Sequence, residues 1–378
     1  MQTPIYISSI ATISALGSQS NEIWANLKNQ EHLFSKVNNE WVSKLSEEQN
    51  ESIQLIKQDP QYRYLDRTVL LALDCSRRAL ERANWSKGSN FGINIGSSRG
   101  ATELFENYYS DFKSNKMVSP LCSPSTTLGN ISSWVAHDLK SKGPEISHSI
   151  TCSTALHAIL NGIAWITSGL ADRFMAGGSE APLTDFTIGQ MKALKIYSKE
   201  ESNYPCRALD TNKTRNSMIL SEGAGMVCLQ SKAPKKPLGK IIGIGYATEP
   251  LIHGASLSSN AQCIQEAMTM ALGTHKKEQI DAVITHTPGT VKGDQAEIEA
   301  LNSIFCNKIP ALTTNKWIVG HSLGTSGLLS IEMALLMLEH QEFVNLPFFE
   351  QKTPLNLSKI MINAVGFGGN AVSILLTK

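Results

Sequence analysis

Residues 149–163 read SITCSTALHAILNGI, a short β-type run followed at once by a helix start, with Cys152 at the junction. The small residues Ser153, Thr154 and Ala155 let a helix begin directly behind the thiol. Unpaired backbone N–H groups at such a position favour a thiolate and can also hold an oxyanion. Free cysteine is nevertheless among the most buried residue types. The stretch by itself therefore leaves Cys152 open between packing and nucleophilic catalysis.

A nucleophile needs partners, and two histidines qualify. His286 closes the strand-like run AVITH and precedes TPGT, while His321 lies in VGHSLGTSG, where small residues leave space around the ring. Either histidine alone is more often a satisfied structural residue. Together with a strand-end cysteine they point to Cys/His chemistry on an acyl group.

The surrounding pattern is that of an α/β protein. The run Ile5 to Ile13 has the alternation of a strand, and residues 64–83 carry apolar side chains at helical spacing. Residues 29–61 are rich in Glu, Asn, Lys and Ser and read as surface loops and caps. The Lys/Pro-rich stretch SKAPKKPLGK at 231–240 is the best boundary, dividing the chain into halves 1–230 and 231–378. Beyond it the plan recurs: each half has a strand that ends near a reactive residue and opens a helix, Cys152 in the first and His321 in the second. This is the signature of an internal duplication with one composite site.

Bulk properties exclude several function classes. The 378 residues are 42% hydrophobic, and 34 Lys+Arg against 33 Asp+Glu leave a net charge of +1. Nothing in that balance predicts nucleic acid or an anionic membrane as partner. Seven scattered cysteines, without a CxxC pair or zinc-ligand spacing, read as reduced thiols of a cytoplasmic protein with no metal site. The N-terminus lacks the basic region of a signal peptide, and no stretch reaches the roughly 20 apolar residues of a membrane-spanning helix.

Four ordered motifs carry a family resemblance that spans essentially the whole chain. TCSTALH resembles the nucleophile motif of elongating, Cys-His-His β-ketoacyl-acyl-carrier-protein synthases. THTPGTVKGDQAE resembles their HGTxTxxGDxxE motif, TNKWIVGHSLGTSG their STKxxxGHxxGAAG motif, and GFGG at 366–369 their glycine-rich gating turn. AGGSEAPLT and CRALDTNKTRNSMILSEGAG match between them. The resemblance implies a duplicated thiolase-like fold, layered α-β-α-β-α, in which two mixed sheets pack with helices between and outside them.

By that resemblance Cys152 takes the growing acyl chain as a thioester, and His286 and His321 hold the malonyl thioester carbonyl and stabilise the enolate. Lys316 matches the family's lysine, which pairs with the acid at Glu297 and orients the site. Backbone N–H groups of Cys152 and Phe367 form the oxyanion hole, with Phe367 as gate. Thr290 keeps a hydroxyl for the phosphopantetheine arm, Gly368 is a further substrate-binding residue, and Met191 and Phe186 line the acyl tunnel. His157 is a packing residue, and Asp210 and Glu222 brace loops. No tightly bound cofactor is implied, because phosphopantetheine arrives on an acyl carrier protein. The other implied partner is a second ketosynthase-like subunit, identical or not.

The chain also departs from the pattern. Pro288 replaces a threonine that grips the phosphopantetheine arm, and Ser330 stands where many members carry a glutamate. Ser217 and Ser221 replace glycines, and the gate reads GFGGN, one residue short of GFGGTN. This drift resembles synthases of type II polyketide or aryl-polyene pathways. The rival reading is a chain-length factor, a binding subunit of the same fold that usually lacks the cysteine. A thiolase would need a second cysteine near the C-terminus, and none follows Cys306.

Overall fold

The strand Ile5–Ile13 (β1) alternates in sequence, yet eight of its nine residues are buried, because it lies at the middle of the sheet with a neighbour on each side. The computed structural model describes residues 3–128, 130–250, 257–306 and 308–378. A small hairpin of β2 (Ser35–Val37) and β3 (Glu40–Val42) follows β1. The first half continues with β4 (Gly92–Gly96), β5 (Glu145–His148), β6 (Arg173–Glu180) and β7 (Gly223–Gln230). The second half contains β8 (Gly239–Thr248), β9 (Ala282–Ile284), β10 (Ala311–Thr313), β11 (Lys359–Gly366) and β12 (Asn370–Thr377).

Hydrogen bonding runs β5-β4-β6-β7-β1 in the first half and β10-β9-β11-β12-β8 in the second. In each half the first three of these strands are parallel and the last two antiparallel. The order and the strand directions are the same in both halves, so the duplication read from the motifs is visible in the topology. A short antiparallel ladder, Ile5↔Ile241, Tyr6↔Lys240 and Ile7↔Gly239, joins β1 to β8 and makes the ten strands continuous.

Twelve helices complete the described residues. They are α1 (Ser20–Lys28), α2 (Glu47–Gln58), α3 (Arg67–Arg82), α4 (Thr102–Asn115), α5 (Cys122–Thr126), α6 (Asn130–Leu139), α7 (Thr154–Thr167) and α8 (Asp185–Ala193), then α9 (Gln262–Leu272), α10 (Val291–Phe305), α11 (Lys316–Val319) and α12 (Ser326–His340). Helices α3 and α6 cover the outer face of the first half, and α9 with α10 cover that of the second. Between the halves α7 lies on β4 and β6 and reaches β12, while α12 lies on β11 and reaches β7 and β1. Residues 326–338 of α12 are all buried, as a helix of the middle layer requires. This is the layered α-β-α-β-α arrangement expected.

The region 29–61 departs from its reading as loops. It holds the hairpin and α2, whose Ser46 and Gln49 form a reciprocal capping box. Only Gln49 and Ile53 of α2 are buried, so its apolar signal is weak, and the Ser-x-x-Gln start was the cue to it.

Candidate active site

Cys152 sits in a 3₁₀ turn, Thr151–Ser153, between β5 and α7. Thr151 has φ +44°, a left-handed conformation that a β-branched residue adopts only under constraint. The constraint is visible on both sides. Thr154 Oγ1 donates to Thr151 O at 2.6 Å and accepts from Ile150 N–H at 2.9 Å, and Thr151 Oγ1 donates to Phe367 O at 3.2 Å. The end of β11 comes this close because Gly366 has no side chain: a Cβ there would lie 1.9 Å from Thr151 Oγ1 and 3.2 Å from Cys152 N. The backbone of Phe367 is thereby placed beside the nucleophile.

The histidines are held by their backbones. His286 follows β9, and Glu297 of α10 accepts from His286 N–H at 3.0 Å and Thr287 N–H at 2.8 Å. His321 donates its N–H to Ile219 O at 2.7 Å and accepts at its carbonyl from Ser221 N–H at 3.1 Å. The Cys152 sulfur and the nearest ring nitrogens of the two histidines all lie within 4.8 Å of one another. The two rings meet edge to face, with centroids 5.2 Å apart. Sequence spacing gave no hint of this convergence, whose distances would also suit a metal ligand set. Both Nδ1 atoms are buried without a hydrogen-bond partner among the described residues.

Electrostatics keeps this cluster neutral. Burial pushes the Cys152 thiol up to about 12, the Glu180 carboxylate adds to the effect, and Lys316 opposes it. Burial also drives both imidazoles well below 6.5, reinforced by the Lys316 charge and, for His286, by His321. Lys316 is 1% exposed and is itself brought down to about 8 by burial, against the pull of Glu297 and Asp294. A neutral thiol and two neutral imidazoles therefore face each other, with N–H donors available for an oxygen that gains charge.

Two expected roles are changed by the geometry. No ion pair joins Lys316 to Glu297: the Glu297 carboxylate is occupied by the two backbone N–H groups and by Asn363 Nδ2 at 3.1 Å, so Lys316 acts on it only through space. Phe186 does not share the buried group of Cys152; it is exposed on α8 beside Arg99, Phe105 and Thr126, lining a surface cavity of about 260 Å³. Met191, from the same helix, packs with Cys152, Ile188, Met218, Leu220 and Leu323.

The remaining residues frame the site. Thr290 is the half-exposed N-cap of α10, next to Pro288. The loop between them is pinned by Asp294, which accepts from Gly289 N–H at 3.0 Å and forms a buried ion pair with Lys213 at 2.6 Å. Phe367 is partly exposed, and Gly368 and Gly369, at φ +104° and +67°, turn the chain into β12. His157 Nδ1 lies 3.1 Å from Ser153 O, a packing role. Asp210 pairs with Arg207 and Glu222 with Arg67, both bracing loops. Ser330 is buried in α12, and two residues on Glu332 brings a buried carboxylate that accepts from Thr12 Oγ1. Sequence reasoning did not single out Glu180, the buried end of β6; the cue was an acid closing the small-residue run AGGSEA.

Comparison with known proteins agrees with this geometry. Residues 2–235 match the N-terminal domain of β-ketoacyl synthases, and residues 240–349 match their C-terminal domain. Chloroplastic 3-oxoacyl-acyl-carrier-protein synthase II of Arabidopsis thaliana is 29% identical over 350 residues, covering 82% of this chain and 63% of that protein. The 3-oxoacyl-acyl-carrier-protein synthase 1 of Escherichia coli K12 is 26% identical over 309 residues, covering 75% of this chain and 74% of that one. Among solved structures, the ishigamide ketosynthase/chain length factor superposes over the full length of both chains with a TM-score of 0.88 at 17% identity. A β-ketoacyl synthase from Burkholderia phymatum does so with 0.85 at 19%. These two share the fold, and with the family matches and the Cys-His-His cluster they lead to one conclusion: the chain belongs to the β-ketoacyl synthase family.

Proposed function

We propose that the protein joins an acyl chain held on Cys152 to a malonyl unit on an acyl carrier protein, extending the chain by two carbons with loss of CO₂. The convergence of the Cys152 sulfur with His286 and His321 is the observation that supports this reading. In the first step Sγ attacks the incoming thioester, the S–C bond to Cys152 forms, and the phosphopantetheine thiol leaves with the proton. In the second, the malonyl C–CO₂ bond breaks and its electron pair forms an enolate, whose oxygen the two neutral imidazoles stabilise as N–H donors. The enolate carbon then attacks the acyl thioester, the new C–C bond forms, and Cys152 leaves and regains a proton. Backbone N–H groups of Cys152 and Phe367 take up the oxyanion of each tetrahedral intermediate.

The pathway is fatty acid or type II polyketide synthesis. Thr290, Gly368 and Met191 line the approach of the phosphopantetheine arm and acyl chain, and no other cofactor is required. A second ketosynthase-like subunit fits the free edge of β5, which among the described strands pairs only with β4. The chain-length-factor reading has support in the fold shared with the ishigamide pair, but the nucleophilic cysteine speaks against it.

Purified protein mixed with acyl- and malonyl-carrier protein tests the reading by intact mass. An acyl adduct on Cys152 followed by β-ketoacyl-carrier protein is expected, and Cys152→Ala should abolish both. An adduct without product, even with a candidate partner subunit present, would defeat the elongation reading.

A further inference from the structure

His148 closes β5, and the chemistry proposed above makes no use of it. Its ring lies between two fixed partners: Nδ1 is 2.8 Å from Asn94 Nδ2 on β4, and Nε2 is 3.0 Å from Thr154 O at the start of α7. Asn94 is fully buried and its amide is fully engaged. Nδ2 also donates to Ile146 O at 3.0 Å, and Oδ1 accepts from Asn161 Nδ2 at 2.8 Å. Asn161 lies two turns beyond Thr154 on α7, so the two residues stand on one face of the helix.

This chain of bonds fixes the state of the ring. A carbonyl oxygen only accepts, so Nε2 carries the proton that Thr154 O receives. An amide nitrogen only donates, and Asn94 cannot be turned over without setting its oxygen against Ile146 O, so Nδ1 is the bare nitrogen. His148 is therefore neutral, with its proton on Nε2. A proton on Nδ1 would face the Asn94 N–H at 2.8 Å, donor against donor. Burial acts in the same direction and holds the ring below its ordinary pKa, with the Thr154 bond opposing.

The ring spans the segment that carries the nucleophile. Residues 149–153, Cys152 among them, connect the end of β5 to the start of α7, and His148 joins the two ends directly. There is no slack behind it: a Cβ on Gly96 would lie 2.1 Å from Thr154 Cγ2, 2.8 Å from His148 O and 3.2 Å from His148 Cε1. Thr154 holds Ile150 and Thr151 through its hydroxyl and is itself held by His148 through its carbonyl. Charged groups around the ring are few. β4 carries none, the 3₁₀ turn carries only the Cys152 thiol, and α7 carries only His157, whose Nδ1 bonds to Ser153 O. β5 itself adds Glu145, and α6 on the opposite face of the sheet adds His137 and Asp138, the latter paired with Arg77.

We propose that His148 is a positioning residue whose neutral ring clamps the Cys152 turn onto β5 and releases it on protonation. Its bearing on acyl transfer rests on the condensation reading; the clamp itself does not.

Amide hydrogen exchange of the substrate-free protein, read by mass on peptides within 149–158, tests the clamp. An opened turn frees the ring to take a proton at its ordinary pKa of 6.5, while the closed turn refuses it. Protection, corrected for the intrinsic exchange rate, should therefore fall about tenfold between pH 7.5 and pH 5.5. His148→Gln offers an N–H to Thr154 O and an oxygen to Asn94 but does not titrate, so its protection should change little over that range. An equal loss in the two proteins overturns the proposal, and so does a wild type whose protection is the same at both pH values. Should His148→Gln fail to fold, His157→Gln decides: a loss that persists supports His148, and one that vanishes belongs to His157 and overturns the proposal.

Transfer from an acyl thioester to Cys152 at pH 7.5, followed by intact mass, reads the positioning. His148→Leu should slow it about tenfold, because small displacements of reacting atoms cost that much or more, and His148→Gln should keep most of the rate. Equal rates in the three proteins overturn the positioning role. A wild type that takes no acyl group defeats the condensation reading instead, and the exchange data still decide the clamp.

Discussion

Gly366 and Thr151 meet so closely that a single methyl group on Gly366 would lie 1.9 Å from Thr151 Oγ1. The contact couples the strained turn before Cys152 to the end of β11, and it sets where the Phe367 backbone stands relative to the thiol. Oxyanion stabilisation depends on donors placed to within a few tenths of an ångström, and loss of one donor typically costs about 10²- to 10³-fold in rate.

Gly366→Ala should therefore lower the rate of acyl transfer to Cys152 by about 10²-fold or more, with a fall in the thermal unfolding midpoint. Adding Thr151→Ala removes the atom that the new methyl group strikes, and should recover part of the lost stability. Stopped-flow acylation and thermal melts of the two variants check this. A Gly366→Ala protein with wild-type acylation would show that the approach of β11 to the turn is incidental to the site.

Much of this arrangement was legible in the sequence, and the reasons differ from residue to residue. Cys152 and His286 could be singled out because each follows a strand-like run, and His321 because small residues surround it; the expected strand before His321 is instead the short helix α11, since β10 already ends at Thr313. The duplication was legible as two similar series of motifs, and the identical strand order of the halves is its structural form. Glu297 enters through the motif resemblance, but its partners include backbone N–H groups, and no residue-type pattern encodes those. The Lys316–Glu297 pair is likewise implied by the resemblance alone; which groups occupy a carboxylate is a matter of three-dimensional competition, and here backbone N–H groups and Asn363 win it. Helix α2 was hidden because a helix with two buried residues carries almost no periodic apolar signal. Glu180 was hidden because its bonds reach across 82, 83 and 144 residues of chain.

Acid stability should carry the imprint of the two histidines. Both imidazoles are held well below 6.5 in the folded chain, by burial first and then by Lys316. Well above pH 6.5 the rings are neutral in both states and contribute no pH dependence. As pH falls below 6.5 the unfolded chain binds protons that the folded chain refuses, so stability declines. His321→Gln removes one such group, and other titrating residues are common to both proteins. The difference in melting temperature between pH 7.5 and pH 5.5 should therefore be smaller for His321→Gln than for wild type. Equal differences would mean that His321 titrates normally in the folded chain.

The surface of α4 is a second indication of a subunit contact, in addition to the free edge of β5. Phe105, Tyr109 and Phe112 stand at helical spacing on one face and are 59%, 57% and 41% exposed, and no residue of α4 is buried within the chain. Met117, Val118 and Leu121 extend the apolar surface beyond the helix. Exposed apolar side chains grouped along one helix face mark a site of association, and Phe105 lines a surface cavity with Ser98, Arg99 and Thr126. The protein, alone or with a ketosynthase-like partner subunit, should sediment as a dimer. A Phe105→Glu, Phe112→Glu double variant should sediment as a monomer at the same concentration, because it places two charges in the core of the contact. Its circular dichroism should match wild type, since neither side chain supports the interior. Retention of the dimer in this variant would place the subunit contact elsewhere on the molecule and leave the apolar face of α4 unassigned.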